Sequence, residues 1–435
     1  MTLLGAILAA DPRILDDDGG WCWFQDERCI VHDGVLYVGS VSSGHVDPAR
    51  HGDVNVIMHD LAANTTRIIE LDDQLQLDDH DDPALLAGDD GVFAIWATHG
   101  GNWKIYSSTI KADGTATPKQ TLLIKPADGY GVTYANLFRM PNGDLVHIFR
   151  GAGWDPNVIR SIDGGQTWSE PKRLLGGPGR PYVRYAQDSV GRIHVFATEQ
   201  HPRNFDNSLF HGMLDGDRVL DSAGRQIGTL GTHPPAPEML TQVFKGDADN
   251  VAWCSSIEVD VLDRPVVAYS VQKDSAGMKV GTGGADHRYR YARWNGSNWI
   301  DNEVGFAGTR LFAREDDYTG LISIVPSDPA TVYFSTNAQP ETGEPLVSTA
   351  DEQRHWEIWR GDTADGGATW AFTPVTANSE ADNLRPMVPP GSTMPVLVWL
   401  RGNYRTYTDY DQAVCGLVGE EIPAPGTGPA VPSHP

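Results

Sequence analysis

A single-domain, all-β fold, a seven-bladed β-propeller of four-stranded antiparallel blades, is what this sequence predicts, and three observations predict it. Glycine and proline are abundant, 47 and 29 of 435 residues, and 13 tryptophans are spread along the chain, which suits many short strands joined by tight turns. No long stretch repeats apolar residues at i, i+3, i+4 and i+7, so little helix is expected. A unit made of a polar cluster, an apolar run, a turn and a second apolar run recurs seven times, at intervals of roughly 50 to 70 residues.

The seven copies follow one another along the chain. They run from Asp26 to Val41 around Asp33-Gly34, from His80 to His99 around Asp89-Asp90-Gly91, and from Tyr134 to Arg150 around Asn142-Gly143. The next two run from Arg184 to His201 around Val190-Gly191 and from Cys254 to Gln272 around Asp263. The last two run from Tyr318 to Asn337 around Ser327-Asp328-Pro329 and from Asn383 to Arg401 around Pro390-Gly391. Outer-strand signals fall between them. Ser161-Ile162-Asp163-Gly164-Gly165-Gln166-Thr167-Trp168 matches the Asp-box pattern S-x-D-x-G-x-T-W, and Thr363-Ala364-Asp365-Gly366-Gly367-Ala368-Thr369-Trp370 is a weaker copy. An Asn295-Gly296 hairpin lies between Trp294 and Trp299. Such boxes are structural: the Asp and hydroxyl groups bond turn backbone while the Trp packs between blades. Residues 1–18 are expected to precede the propeller, residues 19–418 to form it, and residues 419–435, rich in Pro and Gly, to be a disordered tail. The segment Trp21 to Phe24 is expected to close the ring by pairing with the last blade.

A formal charge of −25 and a pI near 4.8 argue against an extended nucleic-acid contact, which needs basic patches on phosphates. Focused arginines can still hold one carboxylate, because charges more than about 10 Å away are screened. No apolar run is long enough for a membrane-spanning helix. The apolar start, Met1 to Ala10, lacks a basic flank and is short for a signal peptide, so the protein is expected in the cytoplasm, or secreted if a leader has been removed. Cys22, Cys29, Cys254 and Cys415 are scattered and are expected to be buried thiols. A monomer with no nucleotide or organic cofactor is expected.

In a propeller blade the innermost strand runs along the channel and the second returns antiparallel to it. The start of the first and the end of the second therefore share a mouth. The rule sets His80 beside His99, Tyr134 beside Arg150, Arg180, Tyr182, Arg184 and Tyr185 beside Glu199 and His201, and Arg385 beside Arg401, with Asp26, Glu27, Asp316, Asp317 and Tyr318 completing the ring. Arg150 closes an apolar strand, where a charge is costly unless it meets an anion or water. Histidine, tyrosine and arginine together suit β-elimination from a uronide. Arginine can neutralise the carboxylate and stabilise the enolate-like charge that develops, while histidine or tyrosine moves the protons. Positioned carboxylates alone would suit hydrolysis better.

Four motifs carry a family resemblance: Trp21-Cys22-Trp23-Phe24-Gln25-Asp26-Glu27-Arg28, Asp78-Asp79-His80-Asp81-Asp82-Pro83-Ala84-Leu85, Arg180-Pro181-Tyr182-Val183-Arg184-Tyr185 and Thr198-Glu199-Gln200-His201-Pro202-Arg203. They resemble the BNR-4 repeat proteins, which include seven-bladed ulvan lyases and rhamnose-glucuronate lyases acting on gum arabic, and the likeness runs from about Gly19 to Leu417. The resemblance implies a catalytic set of His80, His99, Tyr134 and Arg150, and substrate binding by Arg180, Tyr182, Arg184, Glu199, His201 and Arg385. It implies cleavage of a rhamnose-α-1,4-uronate bond in a uronic-acid-containing poly- or oligosaccharide, leaving a 4,5-unsaturated uronate. It also implies a structural Ca2+ with unassigned ligands. The expected roles set Arg150 and His99 on the carboxylate, with His80 and Tyr134 sharing base and acid work in either order. A sialidase-type hydrolase using Arg28, Arg385 and Arg401, and a glycan-binding propeller without catalysis, are the alternative readings.

Overall fold

The structure is a computed structural model and describes residues 12–392 and 394–419. The apolar start and the expected tail beyond residue 419 lie outside the described residues. Seven antiparallel sheets follow one another along the chain, as the seven hairpins predict. The inner two strands of each blade are Cys29–His32 with Val35–Val41, Ala84–Gly88 with Gly91–Trp96, Thr133–Arg139 with Leu145–Arg150, Val183–Gln187 with Ile193–Ala197, Val251–Val259 with Pro265–Gln272, Ile322–Val325 with Asp328–Thr336, and Asn383–Met387 with Val396–Thr406. Six sheets have four strands. The fourth blade departs from the expected four: Gln226–Thr229 and Thr241–Phe244 extend it to six.

Ring closure differs from the expectation in a way local sequence cannot signal. Arg13–Asp16 forms the outermost strand of the seventh blade, pairing with Asp409–Val418. Part of the segment expected to lie outside the propeller therefore closes the ring. Trp21 to Phe24 pairs with no blade edge and instead occupies the axis. Cys22 N donates to Asp79 O at 2.8 Å, Trp23 Nε1 to Cys254 O at 3.2 Å, and Asp26 N to Ala135 O at 3.0 Å. Leu137 N donates to Asp26 O, Leu85 N to Glu27 O and Gly39 N to Arg28 O, so inner strands of three blades satisfy the backbone of this plug.

Neighbouring blades share apolar cores: Val56, Leu85 and Val92 meet between the first and second, and Phe138, Val146, Tyr185 and Val195 between the third and fourth. Trp21, Trp96 and Trp399 are fully enclosed; truncating such a ring typically costs roughly 3–5 kcal/mol. Both Asp boxes make the expected turn contacts. Thr167 donates to both oxygens of Asp163, Ser161 Oγ accepts from Gly165 N at 2.8 Å, and Trp168 Nε1 donates to Gly165 O at 3.1 Å. The second box repeats each contact. All four cysteines are buried thiols.

Candidate active site

The plug sets the floor of the site. Phe24 lies 5.3 Å from the ring of Tyr134 and 4.9 Å from that of Tyr182, and Trp23 packs edge-on against Trp253 and Tyr318. Tyr134 enters from the third blade with φ +68, at an irregularity in strand pairing between Thr133 and Asn136. A non-glycine residue in this region costs about 1–3 kcal/mol. The bulge re-aims the phenol, a recurrent use of bulges beside active sites.

His80, His99, Tyr134 and Arg150 come together on this floor. The imidazoles of His80 and His99 stack at 3.9 Å and 9°, and the ring of Tyr134 is 5.6 Å from that of His80. The Arg150 guanidinium lies over two phenol rings, 4.6 Å from that of Tyr134 and 4.3 Å from that of Tyr182. Arg150 Nη1 donates to Tyr134 Oη and Nη2 to Pro181 O, each at 3.4 Å. Arg150 is only 7% exposed, and among the described residues no carboxylate comes within ion-pair distance of it. A buried guanidinium faced by rings and one carbonyl is chemically suited to an anion.

Asp78, which reads in the sequence as one member of an acidic run, organises both histidines. Its Oδ1 is 2.6 Å from His80 Nδ1, its Oδ2 is 2.7 Å from His99 Nδ1, and it also accepts from His80 N. With Nδ1 of each ring bonded to Asp78, both Nε2 atoms are left for other chemistry. Burial opposes a charge on His80, but the carboxylates at its Nδ1, Asp78 foremost, outweigh it and hold its proton well above the ordinary imidazole range. Burial and the charge on His80 hold His99 below that range despite Asp78. Burial likewise raises Asp78, but the two imidazoles outweigh it and keep the carboxylate ionised. Burial pushes the Tyr134 phenol above its usual value in spite of Arg150. One protonated imidazole, one neutral imidazole and one protonated phenol therefore face a free guanidinium.

A group that keeps its proton is no base, so His80 is suited to act as an acid or as a cationic ligand for a carboxylate. Replacing Asp78 by Asn removes one of the two carboxylates at His80 Nδ1, the one shared with His99. Asp78→Asn is therefore expected to move the alkaline limb of the pH–rate profile to lower pH, together with a fall in kcat. An unmoved alkaline limb would show that His80 keeps its proton without Asp78.

Of the residues expected to bind substrate, Tyr182, Arg180 and His201 adjoin this group. Arg180 Cζ is 5.6 Å from the ring of Tyr182, which meets His201 edge-on at 5.2 Å. Burial, with Arg203, Arg180 and Arg150 nearby, pushes His201 down to about 2, so its imidazole is neutral. Glu199 turns into its own loop, accepting from Ser208 N at 2.9 Å. Two of the expected residues are held by the plug. Arg184 donates to Trp23 O and, at 2.9 Å, to Asp26. Arg385 donates to Trp21 O and, at 2.6 Å, to Asp79, beneath the ring of Tyr404. Arg385 is 2% exposed and Asp79 1%, so Arg385→Ala would take the guanidinium from a buried carboxylate and leave it to Tyr404 Oη and His80 Nδ1. A stability loss of about 3–5 kcal/mol in denaturant unfolding is expected, and a loss below about 1 kcal/mol would contradict this structural role.

Of the three arginines of the sialidase reading, Arg28 donates to Cys22 O and Arg385 is held by Trp21 O and Asp79. Among the described residues two groups have metal-ligand spacing, Cys22, Asp79 and His80, and Asp78, His80 and His99. Their nitrogen and sulfur donors do not fit Ca2+, which takes six to eight oxygens. A cavity of about 870 Å3 lies beside Trp103, Lys125 and Arg173.

A family model described as a BNR repeat-containing family member matches residues 37–307. No curated protein matches the sequence. Among solved structures, a polysaccharide lyase PL25 ulvan lyase bound to GlcA(1-4)Rha3S aligns with a TM-score of 0.68 at 16% identity, covering 94% of this chain and 96% of that one. A second structure of that enzyme gives the same values. The polysaccharide lyase Uly1 aligns with a TM-score of 0.55 at 11% identity, over 90% of this chain and 89% of that one. At such identities the likeness is one of fold.

Proposed function

The chain belongs to the BNR repeat-containing family, and from that membership we propose that it is a polysaccharide lyase that cleaves a rhamnose-α-1,4-uronate linkage by β-elimination. The observation that carries this reading is the buried Arg150, which has phenol rings and a carbonyl around it but no carboxylate partner among the described residues. A uronate carboxylate supplies the missing anion, and its neutralisation makes the C5 proton acidic enough to remove. The solved lyases of similar fold, one of them bound to GlcA(1-4)Rha3S, support the same substrate class.

In the proposed reaction Arg150 and the protonated His80 bind the carboxylate. The neutral Nε2 of His99 takes the C5 proton, the electron pair of the C5–H bond forms the C4–C5 double bond, and the C4–O4 bond breaks. Tyr134 returns a proton to O4 of the leaving sugar, and His99 and Tyr134 regain their starting states through solvent. Asp78 remains ionised throughout and holds both imidazoles in orientation. Tyr182, Arg180 and His201 line the way to this centre.

Incubation with ulvan and with gum arabic tests the reading. Ultraviolet absorbance from an unsaturated uronate should rise with at least one of them. Reducing sugar without absorbance would indicate a hydrolase, and neither signal would indicate a glycan-binding propeller.

A further inference from the structure

Two loops flank the catalytic group, and each carries an exposed aromatic ring that the chemistry does not use. Tyr130 stands four residues before Tyr134 and is 62% exposed; Trp154 stands four residues after Arg150 and is 39% exposed. Their rings are parallel within 4°, with centroids 6.2 Å apart. The loops brace one another, since Gly153 N donates to Asp128 O at 2.6 Å and Gly101 N donates to Tyr130 O at 2.6 Å. The second bond ties Tyr130 to the loop that carries His99. A Cβ on Gly100 would lie 2.4 Å from the Tyr130 ring, so glycine is what lets the phenol sit against this loop. Arg180 completes the arrangement, with Cζ 5.7 Å from the ring of Trp154 and 5.6 Å from that of Tyr182.

Backbone conformation argues that the indole is held there for a purpose. Gly153 has φ +74 and Trp154 φ +64. A left-handed tryptophan costs about 1–3 kcal/mol, and a half-exposed ring recovers little of that through core packing. Water is displaced from the paired rings only when a third flat, partly apolar body covers them. The C–H face of a pyranose is such a body, and the pair is linked to the Arg150 site through Arg180, which lies between Trp154 and Tyr182.

We propose that Tyr130 and Trp154 form a stacking platform for the sugar next to the cleaved uronate, with Arg180 binding an acidic substituent, carboxylate or sulfate ester, on the bound chain. The assignment rests on the lyase reading for its substrate class. The platform binds the chain and Arg150 activates it, so the two are separable in kinetics.

Trp154→Ala and Tyr130→Ala are each expected to raise KM on the cleaved polysaccharide about tenfold or more, with kcat within about twofold of the parent and an unchanged thermal midpoint. Trp154→Phe should restore most of the affinity. Arg180→Gln should weaken binding and flatten its dependence on salt. Tryptophan fluorescence titration of the Tyr134→Phe protein with ulvan and with gum arabic, with and without Trp154→Ala, gives a readout independent of turnover. If no glycan yields an unsaturated product yet Trp154→Ala still weakens binding, the lyase reading fails and the platform stands. If the glycan is cleaved and neither alanine variant moves KM or the titration by more than about twofold, the platform is overturned. Failure of the unsubstituted protein to bind either glycan would overturn it as well.

Discussion

Arg150→Ala is expected to lower kcat on the cleaved polysaccharide by about 10²–10³-fold or more, the usual cost of removing a preorganised charge from a developing oxyanion. The uronate C5–H is poorly acidic while its carboxylate keeps full negative charge, and Arg150 is the one cation in direct contact with both Tyr134 and Tyr182. Its loss should fall on kcat and kcat/KM together, because the interaction strengthens as charge moves onto the carboxylate. Arg150→Lys should recover only part of the rate, since an ammonium lacks the planar fork that grips a carboxylate at two points. Circular dichroism and the thermal midpoint of both variants check that the blade is intact. An Arg150→Ala protein retaining more than about a tenth of the parental kcat would remove Arg150 from the chemistry.

Tyr134→Phe should lower kcat by about 10²–10⁴-fold, the range for a positioned proton donor or acceptor, with little change in stability. The phenol keeps its proton because it is buried, and its oxygen bonds only Arg150 Nη1. Removing that oxygen leaves the ring packed on Phe24 and beneath the guanidinium, so binding should survive. Leaving-group chemistry separates this role from a structural one: a substrate with a better leaving group at O4 should be cleaved by Tyr134→Phe much closer to the parental rate. Equal loss on both substrates would instead assign Tyr134 to positioning.

Much of this was legible in the sequence because its determinants are local. Asn142-Gly143 and Asp33-Gly34 announce hairpins through the positive φ that their glycines adopt, and the alternation of apolar runs does the rest. The rule relating the start of one strand to the end of the next then gathered His80, His99, Tyr134 and Arg150 without any contact being visible. Non-local pairings were not legible. Arg13–Asp16 joins a strand some four hundred residues away, and nothing in four residues announces that partner. Arg184 and Arg385 lie near the starts of innermost strands, at the mouth where Arg150 ends a second strand. What separates them is the plug, whose carbonyls and whose Asp26 and Asp79 neighbours take their donors. Asp78 was hidden by its company, since an Asp-Asp-His-Asp-Asp run reads as a solvated loop until burial shows one carboxylate shared by two imidazoles. Tyr130 and Trp154 lie in glycine-containing loops without strand periodicity, and only coordinates bring the two rings parallel.

Cleavage of a glucuronate-containing glycan in heavy-oxygen water tests the elimination most directly. Elimination consumes no water, so mass spectrometry should find one fragment with a 4,5-unsaturated end free of label. After the slow exchange of the new reducing end is corrected for, the two fragments should together weigh what the parent chain weighed. Heavy oxygen at the new ends, with one water added per bond broken, would contradict the account, leaving the seven blades and their plug but another chemistry at the mouth.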